Sequence, residues 1–187
     1  MLKNKKKVLC ITESNVKDYI DKLKSITFDF SSEFISNQLT VLPLHVYGRT
    51  WSKKNAKNLL PFLTECINNT QGRCDCVVID SLSLLTIYSS SDHILDFFIR
   101  CKHLISNGMT IVVTIHENDI PSEISESVKG MSDVFLKLNS TLIGTKPVKT
   151  VDIIKLLGAD SPPESGFAFE VDMTFGIKVV PISLASA

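Results

Sequence analysis

Short apolar runs alternate along the chain with longer stretches in which apolar positions recur every three or four residues. Lys7–Thr12 (K-V-L-C-I-T) is apolar over the length of a strand. Val16, Tyr19, Ile20, Leu23 and Ile26 then recur at helical spacing, with Lys and Asp between them. Phe28–Asn37 reads as a second short helix or a turn. Leu39–Val46 reads as a strand that Pro43 restricts to an edge or an irregular position. Over Lys53–Asn69, Ala56, Leu59, Leu60, Leu63 and Ile67 share one helical face, and Gln71-Gly72 ends it. Cys76–Asp80 (C-V-V-I-D) is an apolar strand closed by an acid. Ser91–Ser106 carries Ile94, Leu95, Phe98, Cys101, His103 and Ile105 in a helical pattern that Asn107-Gly108 closes. Met109–Ile115 predicts a fully buried strand. Glu117–Gly130 is polar, contains Pro121 and leaves room for a short helix. Val134–Leu138, Thr150–Leu156, Phe167–Val171 and Gly176–Val180 predict four strands with little helix between them.

Strand–helix alternation followed by a strand-rich tail predicts an α/β fold, with a mostly parallel sheet and antiparallel C-terminal strands. The 187 residues, 44% of them hydrophobic, suffice for one core, and no repeat or low-complexity linker divides them. One domain over 1–187 is therefore expected. Lys+Arg and Asp+Glu both number 20, so the chain has no global field to hold nucleic acid. No apolar run reaches the ~18 residues of a membrane span. The basic start, Met-Leu-Lys-Asn-Lys-Lys-Lys, lacks the apolar segment of a signal peptide. The five cysteines are odd in number, and Cys74-Asp75-Cys76 is not a zinc or thioredoxin spacing, so reduced, buried thiols in the cytoplasm are expected.

Four places can carry chemistry. In Cys76-Val77-Val78-Ile79-Asp80-Ser81 a hydrophobic strand delivers an acid and a hydroxyl to the sheet edge where α/β proteins bind ligands. This is the Walker B pattern, in which the acid holds Mg²⁺ and positions phosphates, but Asp and Ser are also good helix caps. Glu13, in Ile11-Thr12-Glu13-Ser14-Asn15, stands where a carboxylate can polarise water, or where it simply caps the next helix. Thr114 and His116, in Val113-Thr114-Ile115-His116-Glu117, can sense a terminal phosphate or serve as ordinary polar strand-end residues. Lys155, alone in the apolar run Ile153–Gly158, can reach a neighbouring subunit's phosphate or guard a strand edge. The first three converge on one rim of one sheet.

These motifs in this order, together with V-D-I-I-K-L-L-G-A and F-E-V-D-M-T-F-G-I-K-V-V-P-I-S-L-A-S-A, resemble the RecA/KaiC-like ATPases. Among them, the chain most resembles the accessory ATPases of the archaeal flagellum (archaellum) motor. The resemblance implies a RecA-like three-layer sandwich. It also implies site roles: Asp80 as the Walker B acid with Ser81 beside it on the metal side, Glu13 as the water-activating acid, Thr114 and His116 as the sensor strand, and Lys155 as the lysine extended across a subunit boundary. ATP and Mg²⁺ are the implied cofactors. The motor ATPase and its membrane platform are the implied partners of a homo-oligomeric ring, cytoplasmic and peripheral at the inner face of the membrane, with a regulatory or assembly role and no nucleic acid. The alternative within the superfamily is a KaiC-like or recombinase-like ATPase of signalling or DNA metabolism.

Two departures bear on activity. Leu157 stands where such proteins often place an arginine finger, which lowers the hydrolysis expected. No Gly-Lys dipeptide occurs, so G-x-x-x-x-G-K-[S/T], whose amides cradle phosphate, is absent; Gly144-Thr145-Lys146-Pro147 does not supply it. In the family, the P-loop strand, loop and helix precede the strand that here is Val8–Thr12. The expectation is a chain with that segment missing, and Lys3, Lys5, Lys6 and Lys7 would suit the end of its helix. The P-loop strand lies between the counterparts of Met109–Ile115 and Val134–Leu138. Without it, those strands either pair directly or keep unpaired backbone groups.

Overall fold

The structure, a computed structural model, describes residues 6–44, 56–143, 146–158 and 166–180. Lys3, Lys5, Val46, Lys53, Gly144, Thr145 and the last seven residues, all named above, lie outside these. The chain forms two compact units: Met1–Asp21 with Asp29–Met131, and Lys22–Phe28 with Ser132–Ala187.

The first unit is built on a parallel sheet of β1 (Val8–Thr12), β2 (Leu39–Pro43), β3 (Cys76–Asp80) and β4 (Thr110–Val113), in the order β2-β1-β3-β4. Its helices are α1 (Val16–Ser25, which runs on into the second unit), α2 (Ser31–Ile35), α3 (Leu59–Asn68), α4 (Ser83–Thr86), α5 (Ser91–Ser106) and α6 (Ser122–Met131). Alternation along the strands separates two cores. Ile11, Val77 and Ile79 pack with Leu60, Leu63, Phe97, Leu104 and Ile124 from α3, α5 and α6. Val8, Cys10 and Cys76 face the other way, toward Val16, Tyr19 and Ile20 of α1. This gives the three layers expected, with β2, the strand ending in Pro43, at an edge.

The helix ends follow the sequence signals. Asn15 Oδ1 accepts from the Asp18 amide at 2.9 Å at the start of α1. Ser90 accepts from the His93 amide at the start of α5, and Gly108, at φ +91°, follows its end.

β4 differs from expectation. The run Met109–Ile115 predicts a fully buried strand, but β4 covers only Thr110–Val113 and Val112 is 46% exposed. The reason is its place: β4 pairs with β3 and is the other edge of the sheet. Thr110 and Thr114 donate their amides toward β3, to the Asp75 and Ile79 carbonyls, and among the described residues no strand pairs with the other side of β4.

The second unit is an antiparallel sheet of β5 (Val134–Ile143), β6 (Lys146–Leu156), β7 (Gly166–Asp172) and β8 (Gly176–Val180), in that order. β5 and β6 run further than predicted, as one long hairpin with an irregularity between Phe135 and Leu136. Register places Leu136, Leu138, Val151, Ile153, Phe167 and Phe169 on one face, and Lys137, Asn139, Thr150, Asp152 and Glu170 on the other. Asn139 donates to Asp152 Oδ2 at 2.6 Å on the polar face. At the β7–β8 turn, Asp172 Oδ1 accepts the Phe175 and Thr174 amides, which lowers its carboxyl below the usual range.

Candidate functional site at the sheet rim

Because β1, β3 and β4 are parallel, their C-terminal ends deliver polar residues to the same rim. Thr12 stands beside Asp80 in the β1–β3 register, and Ile79 beside Val113 in β3–β4. The ladder continues past the strand ends: the Glu13 amide donates to the Asp80 carbonyl at 3.2 Å, and the Leu82 amide to the Thr114 carbonyl at 2.9 Å. The three exits therefore hold fixed relative positions.

They enclose an open cleft of about 340 Å³ lined by Thr12, Glu13, Ser14, Asp80, Ser81, Thr114, Ile115 and His116. Each carboxylate in it is paired with a hydroxyl from a different strand exit. Ser81 Oγ donates to Glu13 Oε1 at 3.1 Å, and Thr114 Oγ1 donates to Asp80 Oδ1 at 2.9 Å. Thr12, itself buried, turns its Oγ1 to accept the Ser14 amide at 3.2 Å, which fixes the backbone on either side of Glu13. The His116 amide donates to Ser83 Oγ at 2.9 Å. The Asp80–Ser81 peptide bond is cis.

Five of the six residues singled out from the sequence, Glu13, Asp80, Ser81, Thr114 and His116, thus line one cleft. Lys155 stands on β6, opposite Phe135, in the antiparallel unit. Sequence reasoning missed Thr12 and Ser14 as lining residues and Ser83 as a tether. A hydroxyl within one residue of a strand-end acid was the available signal at Thr12 and Ser14; Ser83 gave none, because it reads as an ordinary residue of a short helix.

Apart from His116, the side-chain donors of the cleft are the oxygens of Thr12, Glu13, Ser14, Asp80, Ser81 and Thr114, and the Asp80–Ser81 pair suits a hard cation such as Mg²⁺. No group of three or more His, Cys, Asp or Glu that could hold a metal occurs among the described residues. Asp80, with Ser81, would therefore hold such a cation through one or two contacts and leave the rest of its shell to water and phosphate, the usual arrangement for Mg²⁺. The residues present fit that cofactor.

The cysteines lie away from this chemistry. All five are free; Cys10, Cys76 and Cys101 are buried. Burial pushes the Cys10 thiol up to about 11, although its hydrogen bond to Tyr19 Oη, at 2.9 Å, pulls the other way. Burial alone pushes Cys101 up to about 12. These thiols are neutral core residues at physiological pH.

A parallel α/β sheet takes its ligands outside the carboxyl ends of its strands, where this cleft lies, and a family model described as "ATPase: KaiC" matches residues 1–183. The fold is that of the RecA/KaiC-like ATPases. The archaeal flagellar ATP-binding protein FlaH of Sulfolobus acidocaldarius is 34% identical over 187 residues, covering 100% of this chain and 81% of that protein. The crystal structure of the flagellar accessory protein FlaH from Methanocaldococcus jannaschii superposes with a TM-score of 0.79 at 18% identity, over 96% of this chain and 78% of that one. A KaiC-like protein from Pyrococcus horikoshii superposes with a TM-score of 0.65 at 17% identity, over 94% and 77%. The chain belongs to the FlaH family of archaeal flagellar (archaellum) ATP-binding proteins. No helix among the described residues is long and apolar enough to cross a membrane.

Proposed function

We propose that this chain is an accessory nucleotide-binding component of the archaellum motor, with a regulatory or assembly role and little or no ATP hydrolysis of its own. The observation that supports the reading best is the convergence of Glu13, Asp80, Ser81, Thr114 and His116 on one cleft. Asp80 and Ser81 are the metal side. Mg²⁺, when bound, neutralises phosphate charge. Thr114 holds the Asp80 carboxylate from the neighbouring strand and, with His116, faces the position of a terminal phosphate. Glu13, oriented by Ser81, is placed to polarise water.

Two sequence features limit the chemistry. The motif whose amides cradle phosphate does not occur in residues 1–187, and Leu157 replaces the arginine that would stabilise transition-state charge. Residues 1–187 on their own thus supply the metal side of the site without that cradle, and the reading is weak binding by these residues alone. We read residues 1–187 as one ATPase domain, a reading supported by a family match over residues 1–183. Lys155 serves a neighbouring subunit of a homo-oligomeric ring. The ring's partners are the motor ATPase and its membrane platform, which places the protein in the cytoplasm at the inner face of the membrane.

The test is the melting temperature of the chain with and without Mg-ATP, with Asp80→Asn as control. A ligand at about 100 times its Kd adds about 2.7 kcal/mol to a protein that binds it only when folded. The expected result is a small rise at millimolar Mg-ATP that disappears in Asp80→Asn. A micromolar Kd would overturn weak binding, and an equal rise in both proteins would overturn the assignment of the rim.

A further inference from the structure

Ser83 has no place in the chemistry above, yet its hydroxyl is built into the rim. It is 4% exposed and belongs to the short helix α4 that follows the Asp80 turn. The pairing of β3 with β4 continues beyond the strands in three steps. The Thr114 amide donates to the Ile79 carbonyl at 3.0 Å, and the Leu82 amide to the Thr114 carbonyl at 2.9 Å. The His116 amide then needs an acceptor, but the backbone of β3 has turned into α4. Ser83 Oγ, at 2.9 Å, takes the carbonyl's place. From His116 the chain makes a turn, with the Asp119 amide donating to the His116 carbonyl at 3.1 Å, and leads into α6. α6 is tied to α5 by Ser91 Oγ, which donates to Glu123 at 3.0 Å.

We infer that Ser83 is a positioning residue that fixes the loop 116–121 against the Asp80 turn, so that a ligand engaging Asp80 and Thr114 orders this loop and, through it, α6. The proposal rests on the rim being the nucleotide site. The regulated element is then the 116–121 loop rather than the acids themselves. Ser83 touches no ligand and acts only through the backbone of His116. The sequence ties the two ends together economically: Asp80, Ser81 and Ser83 lie within four residues, so the metal side and the tether are parts of one turn.

The test is residue-resolved amide hydrogen exchange on the full chain, first without nucleotide. In the wild type the His116 amide should be protected although the His116 residue is exposed. In Ser83→Ala its exchange should quicken by about tenfold, the worth of one hydrogen bond, and Ser83→Thr should restore it. The amides of Val77 and Ile79, deep in the sheet, should not change. An unprotected His116 amide in the wild type overturns the tether without any variant, so the test survives if Ser83→Ala does not fold. Unchanged His116 exchange in a folded Ser83→Ala overturns it equally.

The second arm adds Mg-ATP. Binding to the wild type should slow exchange over 116–121, and Ser83→Ala should bind within about threefold of wild type while losing that slowing. Equal slowing in both overturns the coupling. Absence of any Mg-ATP effect in the wild type, with the tether intact in the first arm, overturns the nucleotide reading of the rim and with it the coupling, leaving Ser83 as a positioning residue.

Discussion

Raising the pH should unfold this protein through buried thiols, none of which lines the cleft. Cys10 is 2% exposed on β1 and Cys101 6% exposed on α5. Folding raises the Cys10 thiol from 9.0 to about 11 and the Cys101 thiol from 9.0 to about 12. Both groups hold their protons more tightly folded than unfolded. Their contribution to stability is therefore complete below pH 9 and is lost as pH rises through 11 and 12 respectively. Each group costs about 1.4 kcal/mol per pH unit in that window. By pH 11 the two together remove on the order of 5 kcal/mol, which is comparable to the whole stability of many domains. Tyr19, raised by burial and by its bond to Cys10, adds in the same direction.

Urea unfolding under reducing conditions at half-unit steps from pH 7 to 11 measures this directly. The wild type should be flat to about pH 9 and then fall by at least about 3 kcal/mol per unit, the slope of two protons, with Cys76 and Tyr19, both raised by burial, steepening it further. Cys101→Ala should start less stable, because it leaves a small void beside Phe97 and Leu104, yet fall less steeply by about 1.4 kcal/mol per unit, the share of one group. Lysines and exposed tyrosines titrate equally in both proteins and cancel. Identical alkaline slopes would refute the assignment of the loss to buried thiols.

Phe97 is fully buried between α3 and the sheet, packs edge-on against Phe98 with ring centres 5.2 Å apart, and its replacement by Ala should cost about 3–5 kcal/mol in urea unfolding. Gly166→Ala would drive a Cβ into the Val151 carbonyl oxygen at the start of β7. It should destabilise the antiparallel unit by more than about 2 kcal/mol, which a lowered urea midpoint for β5–β8 probes would report. Thr114→Val removes the hydroxyl that holds Asp80 at 2.9 Å on an exposed rim. It should change stability by less than about 1 kcal/mol but abolish the Mg-ATP-dependent rise in melting temperature.

Much of the site was legible because a charged residue at the end of an apolar strand is an exception the eye can find. Glu13, Asp80 and the Thr114–His116 pair each close such a run, and parallel pairing then had to bring them to one rim. The tether was not legible, because a serine that replaces a carbonyl at a strand end carries no pattern of its own. Nor was the exposure of β4: T-I-V-V is equally compatible with a central and an edge position, and only its neighbours decide. The length of the β5–β6 hairpin was hidden for a related reason. Asn139 and Ser140 interrupt the hydrophobic run, yet the ladder continues through them because it is held by backbone groups. Lys155 reads as a site residue from its isolation in an apolar run and from its family counterpart, and it stands on β6 opposite Phe135.

The parallel pairing of β1, β3 and β4 also separates what the site can change from what the fold needs. Ile11, Val77 and Ile79 hold the core, while Glu13, Ser81 and Thr114 begin where the strands end. Substitutions at the rim can therefore retune the site without repacking the sheet.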